Sequence, residues 1–118
     1  MAATDGKPGG TLGFVIQSPA PFDVTLQRTR DALKAEGFGI LTEIDIRAAF
    51  QEKLGREFRP YVILGACNPP LAYAALSAGA ETGLLLPCNV TVEAAPLGGS
   101  IVRIVDPVRG LLPEAVVK

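Results

Sequence analysis

Cys67 and Cys88 are the residues of this chain best suited to chemistry, because each stands in the same local setting, Gly65-Ala66-Cys67-Asn68-Pro69 and Leu86-Pro87-Cys88-Asn89-Val90. A thiolate is a nucleophile and a soft metal ligand, and its formation depends on what surrounds it. Cys67 immediately precedes Asn68-Pro69-Pro70, where asparagine is a favoured helix cap and proline suits the first helical turn. The amide donors and macrodipole of a helix start there favour an anion by about 0.3 to 1 kcal/mol, which corresponds to less than about one pKa unit. Burial in apolar surroundings opposes this and makes a thiol inert. Packing is therefore the competing reading, since free cysteine is among the residues most often buried.

If the two cysteines lie on neighbouring strands, their backbones come within about 7 Å, the reach of a disulfide. A reversible bridge would then be open to them. The same pair could hold Cu(I), whereas zinc would need two further ligands from carboxylates or a second chain. Histidine is absent. That removes Ser/His and Cys/His catalysis and the commonest metal ligand. Glu43 and Asp45 form a second candidate pair, projecting from one side of a strand with Lys53 nearby in sequence; the competing reading is a solvated strand face. Tyr61, Arg103 and Asp106 read as structural hydrogen-bond or ion-pair partners.

These residues need elements to position them. Thr11 to Gln17 alternates as a strand, and Asp23 is placed to cap a helix carrying Leu26, Thr29, Ala32 and Leu33 on one stripe, with Gly37 ending it. Gly39 to Ile46 alternates with Ile40, Thr42, Ile44 and Ile46 on one face. Arg47 to Leu54 is a short helix stopped by Gly55. Tyr61 to Cys67 is a continuous apolar run and reads as a buried strand. A helix follows from Pro69 to about Ala78. Gly83 to Glu93 and Ser100 to Asp106 read as a hairpin, in which Pro87 calls for an edge or a bulge beside Cys88.

This order predicts an α+β fold, two-layered, with one mostly antiparallel sheet and helices packed on one face. A phosphate-binding glycine loop after the first strand is missing, which disfavours a doubly wound parallel sheet. Residues 1–10 read as a flexible N-terminal segment and residues 11–118 as a single domain. The 118 residues are 48% hydrophobic and 19% charged, enough apolar content for a core. Eleven basic residues nearly balance twelve acidic ones, so nucleic acid and membrane partners are not expected. The first ten residues lack the apolar run of a secretion signal, and a cytoplasmic protein with reduced thiols is expected.

Gly37-Phe38-Gly39, Thr42-Glu43-Ile44-Asp45-Ile46, Lys53-Leu54-Gly55, Tyr61 to Pro69, Leu84 to Val90 and Val105-Asp106-Pro107 together resemble the family called domain of unknown function 302. The resemblance covers about Leu12 to Pro107. It implies a compact α+β fold and a homodimer, and it puts the family motifs on Cys67-Asn68, Cys88-Asn89, Glu43, Asp45 and Lys53. It implies no established activity, and the cofactor stays unknown. The residues leave open whether the protein is an enzyme. One expectation is thiol-based redox or sulfur handling, with Asn68 and Asn89 supporting Cys67 and Cys88. Another is a non-catalytic binder of a small molecule or soft metal ion. A third is a second copy paired through an exposed strand edge or the apolar segment Leu111 to Val117.

Overall fold

The apolar run Tyr61–Cys67 becomes the strand around which everything else is arranged. In the computed structural model, which describes residues 7–9 and 12–105, the chain runs β1 (Lys7–Gly9), β2 (Gly13–Ser18), α1 (Phe22–Ala35), β3 (Gly39–Asp45), α2 (Ile46–Leu54), β4 (Tyr61–Cys67), α3 (Pro69–Ala78), a 3-10 helix (Ala80–Leu85), β5 (Cys88–Ala94) and β6 (Ser100–Val105). The six strands form one sheet in the order β1-β2-β6-β5-β4-β3, and every neighbouring pair is antiparallel. The fold is α+β, as expected. Lys7–Gly9, assigned to the loose N-terminal segment by its composition, pairs with β2 instead.

Residues directly opposite in an antiparallel pair share a face, so the register fixes two surfaces. Val62 faces Val92, which faces Val102, and Leu64 faces Val90. These residues and Leu26 of α1 form the buried cluster, with Ile16, Phe22, Leu33, Ile40 and Ile104 packed around it. α1 therefore covers this surface. The opposite surface is largely open, since Thr42, Ile44, Asn89, Arg103 and Gln17 are exposed.

A hydroxyl group network pins the start of α1. Ser100 Oγ donates to the carbonyl of Ala20 at 2.9 Å, and Thr25 Oγ1 lies 3.3 Å from both that carbonyl and Ser18 Oγ. The cap of α1 is Pro21 with no side-chain hydrogen bond, and Asp23 lies within the first turn rather than capping it. Proline fixes the entering backbone, so a side-chain cap is dispensable. The turn between β5 and β6 closes at Gly99, whose φ is 78° and where a Cβ would lie 2.4 Å from the Ser18 carbonyl oxygen.

Two further departures from the sequence pattern matter for the site. The β3–β4 register shifts between Ile40 and Thr42, a bulge at Leu41. Ile40 consequently shares the α1 surface with Glu43 and Asp45, while Thr42 and Ile44 turn to the open one. An extra residue reverses the alternation downstream of it. The segment read as the start of a strand from Gly83 is the 3-10 helix, and β5 begins only at Cys88. Pro87 thus precedes the strand, and β5 is central with no need of an edge. Asp106 and the segment Leu111 to Val117 lie outside the described residues.

Candidate functional site

Cys67 ends β4, Cys88 opens β5, and α3 with the 3-10 helix forms the connection between them, an arm at that end of the sheet. The two cysteines are near neighbours along the backbone. Their registers nevertheless differ by one position, because Cys88 pairs with Ala66 while Cys67 pairs with Gly39. The pleat then directs Cys88 to the α1 surface and Cys67 to the open one. Both are free and half-buried. A disulfide needs Cβ vectors that converge, and so does a single ion held by both thiolates. The expected bridge between Cys67 and Cys88 within one chain is corrected on this ground.

The two asparagines also part company. Asn68 caps α3, its Oδ1 accepting from the Leu71 amide at 3.1 Å, as the Asn-Pro-Pro signal requires. Asn89 is exposed on the open surface opposite Gly65. Gly65 allows Thr42 and Pro87 to close over it: a Cβ there would lie 2.3 Å from Thr42 Oγ1 and 2.8 Å from Pro87 Cγ.

The strongest polar cluster on the open surface was not selected from the sequence. Glu93 keeps only 5% of its side chain exposed, although Arg59 and Arg103 beside it are 46% and 45% exposed. Arg59 Nε donates to Glu93 Oε2 at 2.7 Å, and Arg103 Nη1 donates to Glu93 Oε1. Arg59 also lies 4.5 Å from the Phe58 ring centroid and 5.8 Å from that of Tyr61. Thr91, directly opposite Arg103, has a buried hydroxyl without a hydrogen-bond partner among the described residues. A signal did exist. Glu93 and Arg103 sit on facing strands of the predicted hairpin, on the surface that Val90, Val92 and Val102 leave, where opposite charges on a diagonal can meet.

A family model described as domain of unknown function DUF302 matches residues 14–115. The chain belongs to that family. Its DUF302 fold is similar to the crystal structure of an uncharacterized conserved protein DUF302 from Bacillus stearothermophilus, at 30% identity and a TM-score of 0.72, over 80% of this chain and 73% of that one. No curated protein matches the chain.

The remaining DUF302 motif residues do not gather at the cysteines. Asp45 caps α2, accepting from the Ala48 amide at 2.9 Å, and Lys53 is exposed in the last turn of that helix. α2 joins the opposite end of β4 from Cys67, roughly 20 Å away along a strand of this length. Glu43 instead forms a two-point pair with Arg30 of α1, at 3.0 Å from Nε and 2.6 Å from Nη2. A common site of Cys67, Cys88, Glu43, Asp45 and Lys53 is therefore not formed.

The hydrogen bonds from Arg30 hold the Glu43 carboxyl below its usual range, against the opposing effects of partial burial and of Asp45. A carboxylate stabilised in the folded state contributes stability above its unfolded pKa and loses it as pH falls through the folded value. Glu43→Gln is accordingly expected to cost up to about 1 kcal/mol at neutral pH, given how exposed the pair is, and to cost nothing in strong acid. Urea unfolding of both proteins from neutral pH into acid checks this; an equal penalty at every pH would rule out the ion pair as its source.

Proposed function

We propose that the domain is a non-catalytic binding module that works as a homodimer, with the arm of each copy covered by the other. The observation that supports this is the surface of the arm. Leu71, Tyr73 and Leu84 are 68%, 76% and 84% exposed, and α3 has no buried residue although it is the most apolar of the helices. Among the described residues, the main packing partner of α3 is the 3-10 helix that follows it. Large apolar side chains exposed together on one element are characteristic of an interaction site.

A second copy is the occupant that suits the charge. About a two-fold axis the same patch lies on both sides of the interface, so a patch carrying like charges repels itself. From Asn68 to Pro87 the one charged side chain is Glu81. The arm can therefore meet itself with little repulsion.

Light scattering over a dilution series is expected to give twice the 12.3 kDa chain mass. Tyr73→Glu combined with Leu84→Glu is expected to return the mass to one chain with the circular dichroism unchanged, because both side chains already face solvent in the single chain. A wild-type mass of one chain at all concentrations defeats the proposal. A two-chain mass that collapses on adding reductant would favour the other reading, thiol-based redox or sulfur handling, with Cys67 or Cys88 bridging two copies in place of the apolar contact.

A further inference from the structure

The Glu93 cluster carries an inference about what such a module binds, and it rests on the binding reading just given. Arg59 and Arg103 pair with Glu93 alone among the described residues, so two cations share one anion. The cluster is left with one positive charge in excess. Arg59 uses only Nε and Arg103 only Nη1 in these pairs, and the other guanidinium donors of both have no protein acceptor among the described residues. Guanidinium forks of this kind match the geometry of a carboxylate.

The neighbouring surface is apolar. A cavity of about 700 Å³ opens beside the β5–β6 turn, lined among others by Pro96, Leu97 and Ile101. Ile101 connects the two features. It stands directly across from Glu93 on one side and from Gln17, also in the cavity lining, on the other. Arg103 lies two residues further along the same strand and so on the same surface. A ligand with its head at the arginines would have the cavity within reach of its body.

We propose that the open sheet surface binds a monocarboxylate with an apolar body, its carboxylate held by Arg59 and Arg103 and its chain laid over Ile101 against Pro96 and Leu97. One negative charge balances the excess of the cluster. Thr91, directly opposite Arg103, has a buried hydroxyl with no hydrogen-bond partner among the described residues. Neither half of the site suffices by itself: the arginines are exposed to competing water and salt, and the cavity is open.

Isothermal titration with octanoate tests this, alongside acetate for the head and octanol for the body. Octanoate is expected to bind saturably. Acetate and octanol should each bind at least roughly tenfold more weakly, since one lacks the methylenes and the other the charge-assisted hydrogen bonds. Arg103→Gln should weaken octanoate by roughly tenfold or more. Leu97→Ser, at a fully exposed turn position that cannot upset folding, should weaken octanoate several-fold and leave acetate unchanged. The proposal is overturned if octanoate gives no saturable heat, if acetate matches it, or if both variants bind it as the native chain does. A homodimer mass that persists in any of these cases would leave the module standing and remove only the ligand.

Discussion

Replacing Leu64 with alanine is expected to lower the unfolding free energy by about 2–5 kcal/mol, a large part of the total for a domain of ordinary stability. Leu64 is fully buried at the middle of β4, with Glu43 opposite it on β3 and Val90 opposite it on β5. Leu26 of α1 belongs to the same buried cluster, so strands and helix meet around this side chain. Alanine would leave a void that a sheet paired on both sides cannot collapse to fill. Leu84→Ala gives the contrast, because Leu84 is almost entirely exposed in the single chain and its loss should change monomer stability by less than about 0.5 kcal/mol. Urea melts of the two variants, in a background already held monomeric, would separate core from arm. A Leu64→Ala penalty below about 1 kcal/mol would mean that the core lies elsewhere.

That contrast also explains which parts of the molecule could be read from residue types. Tyr61–Cys67 and Pro69–Ala78 fall where the pattern puts them, because a short apolar run and an Asn-Pro-Pro start are local signals that no tertiary contact contradicts. β3 misled on its faces although its extent was legible. The alternation of Ile40, Thr42 and Ile44 assumes unbroken pleating, and the bulge at Leu41 depends on pairing with β4 that the segment itself does not encode. Gly83 to Leu86 looked like strand for a similar reason: three consecutive leucines suit a buried strand, but here they belong to the arm, where Leu84 meets solvent.

The site was harder still, because residue type indicates what a side chain can do and not which side chains meet. The matched Cys-Asn dipeptides do converge on neighbouring strands, yet one position of register separates their faces. Asp45 looked like half of a carboxylate pair and is a helix cap, a role that its place before Ile46-Arg47-Ala48 would equally have suggested. Glu93 drew no notice because an acidic residue in an alternating strand reads as solvent-facing. Its burial follows from two arginines, one of them distant in sequence, folding over it.

Removing both of those arginines is expected to be the most damaging change on the open surface. Arg59→Ala or Arg103→Ala alone leaves Glu93 one guanidinium partner and should cost no more than about 1–2 kcal/mol, since each lost pair is half-exposed. The double variant strands a buried carboxylate without a counter-ion, and a cost of about 3–5 kcal/mol is expected, more than the singles would give if each cost about 1 kcal/mol and they simply added. Adding Glu93→Leu to the double variant should recover most of that loss, because a buried apolar side chain has no charge to desolvate. This ordering separates a cluster held for stability from one held for binding. Full recovery in the triple variant, with octanoate binding abolished, would mean that the ion cluster is dispensable to the fold and that its charges serve the ligand. A double variant no less stable than the sum of its singles would show instead that Glu93 finds water when its partners go, and the claim that it is sealed beneath them would fall.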